Sequence, residues 1–260
     1  MGILKGIYTE LHGPRGRKST LRRQAKQAEE LIREQIRMSF TTDAEFRDWE
    51  LQSTRRRFGQ CTACPLHRQR SCVVHGNGNT DPLLLLVGSA PHEGSHEPYD
   101  PVTREGRLLR GCLRRLGYDL DRDAWVTHVV ACATPDRRRL PTAEERGACK
   151  RGRLSAEVSI TRPRVILLLG DAAVRQVLLG VSRSATVAEH AGLVPKGHWP
   201  LLELGTCGTA RLRAVFATHD PGEVLAARGS RRKAMMDRLV KDLRNVKRVV
   251  DKLNEKRAWR

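Results

Sequence analysis

Short apolar runs alternate with longer amphipathic stretches through the middle and the end of the chain. Apolar runs of five to eight residues, bounded by Gly, Pro or charged residues, are typical of buried strands. The predicted strands cover residues 83–87, 124–131, 165–169 and 211–217. The predicted helices cover residues 20–38, 42–58, 104–116, 141–160, 170–179 and 231–256. This alternation predicts an α/β protein with a mostly parallel, four-stranded central sheet flanked by helices.

The first predicted strand ends in a loop that has the features of a ligand site. The segment Leu83–Glu93 reads LLLLVGSAPHE, in which Gly88 admits close backbone approach and Pro91 stiffens the turn. Titratable side chains follow at His92, Glu93, His96, Glu97 and Asp100. Ligands of open α/β folds bind at the carboxyl edge of the sheet, so we expect a pocket here. The alternative is an ordinary connection between a strand and a helix.

Basic segments flank the α/β core. The sequence predicts a basic helical extension over residues 1–58, the α/β domain over 59–229, and a basic C-terminal helix over 230–260. The last helix has an apolar stripe formed by Met235, Leu239, Leu243, Val246 and Val250. We therefore expect basic helices at both ends of the domain.

The charge balance indicates a polyanionic partner. The 260 residues include 48 Lys and Arg against 29 Asp and Glu, a formal net charge of +19. Such an excess is typical of proteins that bind nucleic acid, although basic runs can also be solvated faces. No apolar run approaches the ~20 residues that span a bilayer, and no signal-peptide pattern is visible. We expect a monomeric DNA-binding protein that is cytoplasmic and nucleoid-associated, with no membrane partner.

Four of the seven cysteines flank the predicted sheet. Cys61 and Cys64 form a CxxC before the first strand, Cys132 follows the second strand, and Cys149 lies on the next helix. Four converging thiolates suit a [4Fe-4S] cluster or zinc. Zinc ribbons use two short CxxC pairs, and the second pair here is far too widely spaced. The alternative is a set of buried free thiols.

Several segments, taken in order, resemble one family. They are CTACPLHRQRSCVVHGNGNTDPLLLLVGSAP, THVVACATPDRRRLPTAEERGAC, RPRVILLLGDAAVRQVLL and FATHDPGEVL, and together they cover residues 61 to about 242. Their order and spacing are similar to those of the uracil-DNA glycosylase superfamily in its iron–sulfur, family 4 form. The resemblance implies a DNA glycosylase, an N-glycosyl hydrolase, with a structural [4Fe-4S] cluster on Cys61, Cys64, Cys132 and Cys149.

The chain departs from that family at the residues that select and activate uracil. Ser89 stands where the family has a water-activating Glu, and His128 stands where the family has an Asn that reads the base. Tyr99 is the only aromatic residue left in the altered stacking segment, and the family's His-Pro has become His219-Asp220-Pro221. The frame of a glycosylase is present without the usual uracil pocket.

Breaking an N-glycosidic bond puts positive charge on the sugar and negative charge on the departing base. By resemblance, His219 stabilises the negative charge. The missing Glu must be replaced by another carboxylate, and Asp100 and Glu93 are favoured over Glu97 and Asp220 because they follow the first motif. The predicted base pocket consists of Gly88, Ser89, Ala90, Pro91, Tyr99 and His128.

Two basic runs are candidates for phosphate contacts. They contribute Arg137, Arg138 and Arg139 beside the second strand, and Arg228, Arg231 and Arg232 after the His loop. A base-flipping enzyme needs such contacts and often an apolar wedge, for which Val224 or Leu225 is the candidate. The alternative for each run is a solvated face.

The sequence therefore predicts excision of a flipped-out, modified pyrimidine, such as a hypermodified or glucosylated cytosine of phage DNA, which leaves an abasic site. A uracil-DNA glycosylase of base-excision repair is one alternative. A non-catalytic iron–sulfur DNA-binding protein is a second, and a zinc or redox-sensing regulator is a third.

Overall fold

A computed structural model describes residues 15–135, 139–178, 184–194 and 212–258. Its six-stranded sheet has the order β1-β3-β2-β4-β6-β5. The strands are β1 Asn77–Gly78, β2 Leu84–Gly88, β3 Ala124–His128, β4 Val165–Leu169, β5 Gly192–Leu193 and β6 Ala214–Thr218. The four central strands are mutually parallel, which confirms the predicted fold class. The two edge strands are antiparallel and only two residues long, too short for an apolar pattern to reveal.

The four central strands are buried along their whole length, as expected for a parallel sheet covered on both faces. β2 and β3 pair in a register that sets Gly88 opposite His128. The carboxyl ends of these strands therefore lie at one edge of the sheet, the same edge at which the parallel strands β4 and β6 end. This edge carries the candidate site.

The α-helices in the described part of the chain are α1 Arg15–Arg37, α2 Asp43–Phe58, α3 Arg104–Arg114, α4 Leu120–Asp123, α5 Ala143–Cys149, α6 Ser155–Thr161, α7 Asp171–Val177, α8 Val187–His190, α9 Pro221–Ala226 and α10 Gly229–Ala258. The apolar stripe of α10 is buried, from Met235 to Val250. No helix in the described part of the chain is long and apolar enough to cross a bilayer.

Two predicted elements differ in the structure. The helix predicted over 141–160 is divided by a π-helical turn, Lys150–Leu154, directly after Cys149. The second strand ends at His128 and not at residue 131, because the chain bends there while the amides of Val129 and Val130 bond to the carbonyls of Gly88 and Ser89. Cys132 therefore lies in the loop that follows the bend and not on a strand.

The chain divides into two compact units, residues 1–46 and 47–260. In the first unit, the guanidinium of Arg33 lies 5.5 Å from the ring centroid of Phe46. The second unit holds the sheet and both apolar clusters that cover it. The division predicted from sequence, at residues 58 and 229, stays a prediction.

Candidate active site

A cavity of about 160 Å³ opens at the carboxyl ends of β2, β3 and β6. Four segments line it: the loop after β2, the first turn of α3, the end of β3 with the loop that follows, and the start of α9. The lining residues are Ser89, Ala90, Pro91, His92, Glu93, Ser95, Tyr99, Asp100, Thr103, Glu105, His128, Thr134, Arg139, Leu140, Asp220, Gly222 and Glu223. The structure thus brings five of the six predicted pocket residues into one lining, and the sixth, Gly88, lies behind two of them.

Gly88 is needed because two rings pack against its backbone. A Cβ at this position would lie 2.4 Å from the Tyr99 hydroxyl and 2.7 Å from Cδ2 of His128. No side chain fits there without moving a ring. The glycine therefore sets how deeply Tyr99 and His128 sit at the sheet edge.

Tyr99 connects two walls of the cavity. It is buried, and its backbone has φ of 48°, a left-handed conformation that side chains rarely adopt. Its hydroxyl donates to Oδ2 of Asp220 at 2.6 Å, and its ring lies 5.0 Å from the His128 ring, centroid to centroid. Burial first, and then the charge of Asp220, raise the pKa of Tyr99, so the phenol stays a donor.

His128 is a neutral, buried imidazole. Burial, and after it the positive charge of Arg153, lower the pKa of His128 to about 3. Its Nδ1 has no hydrogen-bond partner within the described residues. A neutral imidazole offers one donor and one acceptor, so His128 can bond a ligand in the cavity but cannot supply positive charge there.

A buried ionic network lies behind His128. Arg153 donates to Oε2 of Glu157 at 2.8 Å and to the hydroxyl of Thr127 at 2.6 Å, and it also bonds the carbonyl of His128. Glu157 accepts from the Thr127 hydroxyl at 2.6 Å and from the amide of Gly76 at 3.0 Å. The network fixes the end of β3 and so fixes the position of His128.

Asp220 is a carboxyl with an unusual proton affinity. Burial raises the pKa of Asp220 to about 7, against the lowering effect of the Tyr99 hydrogen bond, and the nearby carboxylates of Glu223 and Glu105 raise it further. The amide of Gly222 donates to Oδ1 at 2.7 Å. Near neutral pH this group is present both as acid and as carboxylate, as general acids and bases are.

The two favoured catalytic carboxylates lie at the cavity in different states. Asp100 is buried, and its oxygens accept backbone amides, from Val102 at 3.0 Å and from His96 at 3.2 Å. These bonds hold the shape of the loop. Glu93 is exposed at the rim. Neither is anchored to another cavity side chain as Asp220 is to Tyr99.

His219 and Asp220 are neighbours in the chain but line different cavities, and the catalytic role expected for His219 stays a prediction. His219 does not line the first cavity; it lines a second one of about 630 Å³ with Asp171, Thr186 and Arg231. Its Nδ1 lies 3.9 Å from Oε2 of Glu223, which borders both cavities. Because one residue separates His219 from the proline, it is Asp220 that directly precedes the helix and lines the first cavity.

The predicted phosphate-binding residues fall into three groups. Arg228, Arg231 and Arg232 are exposed around the start of α10. Arg139 lines the cavity and pairs with Glu145 at 2.9 Å. Arg137 and Arg138 lie outside the described residues.

The first wedge candidate is excluded by its burial. Val224 is completely buried in the core, so it cannot enter DNA. Leu225, one residue later on α9, keeps partial exposure. Leu225 therefore stays the wedge candidate.

The four predicted cysteine ligands share one neighbourhood. Burial, and then the thiolate charges of Cys149 and Cys132, raise the pKa of Cys64. Burial likewise raises the pKa of Cys132, with smaller contributions from Cys149 and Cys61, while Arg70 lowers it. The Arg70 guanidinium lies 3.7 Å from the Cys132 sulfur. In the described segments, no group of three or more His, Cys, Asp or Glu is placed to hold a metal ion.

Sequence reasoning missed two contributors to the site and did not favour a third. Asp220 was considered only as one of several acids, and Glu105 and Arg153 were not considered at all. A sequence signal existed for Arg153, since Arg153 and Glu157 are four residues apart on one helical face. A charge pair at that spacing is usually exposed, whereas this one is buried.

The sequence that builds this site matches a known protein family. The family model of the uracil DNA glycosylase superfamily matches residues 75–244, about two thirds of the chain. The chain belongs to the uracil DNA glycosylase superfamily. This membership confirms the predicted enzyme class, a DNA glycosylase.

Curated relatives support the predicted branch. The type-4 uracil-DNA glycosylase of Thermotoga maritima is 40% identical over 131 residues, which cover 50% of this chain and 67% of the relative. The type-4 enzyme of Pyrobaculum aerophilum is 36% identical over 122 residues, 46% of this chain and 61% of the relative. A type-5 uracil-DNA glycosylase of the same organism is 30% identical over 161 residues, which cover 51% of this chain and 66% of the relative. The resemblance to the type-4-like branch is confirmed.

Proposed function

We propose that this chain excises a modified pyrimidine, flipped out of DNA into the cavity at the ends of β2 and β3, and leaves an abasic site. The observation that carries this proposal is His128. It is buried at the end of β3, its Nδ1 has no partner in the described structure, and it lies in contact with the cavity. A buried polar atom without a partner is costly unless a ligand completes it.

The wall around His128 favours a base other than plain uracil. An imidazole offers one donor or acceptor at a given edge, whereas an Asn amide offers a donor and an acceptor side by side. Ser89 supplies no carboxylate beside the base. A pocket without that paired contact and without the family's Glu has lost two features suited to uracil. A hypermodified or glucosylated cytosine of phage DNA is the substrate we favour, and antiphage defence is the setting.

DNA is the proposed partner because exposed positive charge lies beside the second cavity, which shares Glu223 with the base cavity. Arg231 and Arg232 are exposed on the first turn of α10, and Arg228 lies just before it. Such side chains hold phosphates while the base is extruded. A nucleoid-associated location follows from this role. Arg137 and Arg138 remain candidates for the same contacts.

We further propose a [4Fe-4S] cluster on Cys61, Cys64, Cys132 and Cys149. Its support is the mutual influence of the four thiols together with the cationic Arg70 beside Cys132. A [4Fe-4S] cluster holds its four thiolates farther apart than a single zinc ion does. Four thiols that lie near one another, but are not placed to coordinate one ion, therefore suit a cluster better than zinc. When bound, the cluster supplies structural cross-linking between the CxxC, the loop after β3 and the end of α5.

Changing a proposed ligand tests the cofactor. Cys61→Ser is expected to give colourless, poorly folded protein with lowered iron and sulfide content. Cys112→Ser is the matched control. Cys112 lies on α3 and packs against a different apolar cluster from the one that contains Cys64 and Cys132. Normal iron content in Cys61→Ser, with loss in Cys72→Ser instead, would show that the ligand set is wrong.

An excision assay across bases tests the function. Duplexes that each carry one uracil, hypoxanthine, hydroxymethylcytosine or glucosylated hydroxymethylcytosine are incubated with the iron-loaded chain and then treated with alkali. We expect strand cleavage at a modified cytosine faster than at uracil. Rapid excision of uracil with inert modified cytosines would establish the repair alternative. No excision of any base, with the iron content intact, would establish the non-catalytic DNA-binding alternative.

A further inference from the structure

Asp220 is the carboxyl at this cavity that is tied to another cavity side chain and still has capacity for a ligand. Its Oδ2 accepts the Tyr99 hydroxyl at 2.6 Å and its Oδ1 accepts the Gly222 amide at 2.7 Å. A carboxyl can serve about four hydrogen bonds, so both oxygens keep room for a ligand. The side chain keeps partial exposure and lines the cavity that His128 also lines.

The position of the carboxyl is held from both sides. Tyr99 fixes it from the loop after β2, and the Tyr99 ring is itself held against His128 and Gly88. Asp220 also caps the N-terminus of α9, which orients its backbone. A group fixed in this way can meet a bound base without rearrangement, as efficient proton transfer requires.

The charged neighbours of Asp220 favour its protonated form. Glu223 faces it from its own helix and Glu105 from α3, and both act on it as negative charges. His128 faces the cavity as a neutral ring, while the cationic Arg139 is paired with Glu145. The backbone of Gly170, at the end of β4, lies against the Asp220 side chain and brings no charge. Such surroundings keep a proton on the carboxyl to about neutral pH.

We propose that Asp220 is the general acid of base excision and that the base it serves is a cytosine-type pyrimidine, whose ring N3 has a lone pair. This inference rests on the proposed glycosylase function. As the bond between the sugar C1′ and the base N1 breaks, its electron pair moves into the base, and the Asp220 proton passes to N3. The base leaves neutral. Water adds to C1′ and releases a proton, which restores the acid.

The chemistry of the two bases makes this role selective. Cytosine is a poor leaving group as an anion, so a proton on N3 lowers its barrier greatly. Uracil already has a hydrogen on N3 and leaves as an anion that needs only hydrogen bonds to its oxygens. A carboxyl acid is therefore expected in a cytosine-directed site and is of small use in a uracil-directed one.

Single-turnover excision by the full iron-loaded chain, measured against pH on a duplex with one modified cytosine, tests the proposal. For the wild type we expect the rate to fall as pH rises above about 7, because the acid form is lost. Asp220→Asn keeps a donor and an acceptor but holds no transferable proton. We expect Asp220→Asn to lose about a hundredfold or more in rate with unchanged DNA affinity. Its rate is also expected to lose the fall above pH about 7, which is the high-pH limb of the wild-type profile.

Two further variants move the same limb in opposite directions. Tyr99→Phe removes a hydrogen bond that lowers the pKa of Asp220, so the limb is expected at higher pH. Glu105→Gln removes a charge that raises this pKa, so the limb is expected at lower pH. If Asp220 had a purely structural role, the high-pH limb would not shift upward in Tyr99→Phe and downward in Glu105→Gln.

The failures are distinguishable. Asp220→Asn at the wild-type rate, or limbs unmoved in Tyr99→Phe and Glu105→Gln, would overturn the acid while the glycosylase function stands. A loss in Asp220→Asn that is as large on a uracil duplex as on a cytosine duplex would overturn the cytosine assignment. A wild type that excises no base at any pH, with normal iron content, would overturn the proposed function and this inference with it.

Discussion

Two neighbouring residues, His219 and Asp220, face two different cavities. Asp220 lines the cavity with Tyr99 and His128, and its carboxyl has a pKa of about 7. His219 lines the larger cavity beside Arg231. Both follow β6 in a loop of two residues, so a single position in the chain decides which side chain lines the cavity at the end of β2 and β3. The comparison shows that the position of a side chain relative to the start of the next helix decides which cavity it lines, and therefore which chemistry it can perform.

Replacing each neighbour by alanine gives the largest expected effect. Asp220→Ala is expected to lower excision by about a hundredfold to ten-thousandfold, the usual contribution of a general acid. His219→Ala is expected to lower it far less, because His219 lies outside the base cavity. Single-turnover rates at saturating enzyme measure both. A greater loss in His219→Ala would return the catalytic role to the histidine, as the resemblance alone implied.

The buried network behind His128 is expected to matter most for stability. Arg153→Met leaves Glu157 buried without its cation, which costs about 3–5 kcal/mol. The half-buried i,i+4 pair of Lys247 and Asp251 on α10 is the comparison, and Lys247→Met is expected to cost no more than about 1 kcal/mol, since solvent still reaches both charges. Urea unfolding at matched iron content measures both. Equal costs would mean that the buried pair gives no special support to the end of β3.

Gly88 tests how tightly the rings set the cavity. Gly88→Ala places a Cβ against the Tyr99 hydroxyl and the His128 ring, with an expected cost of about 1–3 kcal/mol from overpacking. Gly111→Ala is the control, since its Cβ would meet no atom within 4 Å and it lies inside α3. That change is expected to stabilise by about 0.5–1 kcal/mol. Thermal unfolding decides, and a neutral Gly88→Ala would show that the rings move freely.

The sequence was sufficient for the four central strands and the last helix, because their signals are local. Buried parallel strands read as continuous apolar runs, and the stripe of α10 recurs at helical spacing. The bend after His128 and the π-helical turn after Cys149 have no such signal, since they depend on bonds made by Gly88 and Ser89 and on packing. Asp220 could not be separated from His219 because the loop's register is set by Tyr99, which is 121 residues away. The burial of Arg153 could not be predicted, because the sequence does not show that its helix face is covered.

The smallest expected effect is on the salt dependence of DNA binding. It compares an arginine near the sheet edge that bears the cavity with one near the opposite edge. Arg231 is exposed at the start of α10, beside the cavity that His219 lines, whereas the exposed Arg122 precedes β3 at the amino end of the sheet. About six phosphate contacts would give a log–log slope of DNA affinity against salt near roughly −5, and each contact contributes about 0.9 to it. Arg231→Ser is expected to make the slope shallower by about one contact, while Arg122→Ser leaves it unchanged. Fluorescence anisotropy across a salt series measures the three slopes on one unmodified duplex. If Arg122→Ser flattens the slope and Arg231→Ser does not, the DNA lies on the other edge, and the cavity at Asp220 does not receive a flipped base.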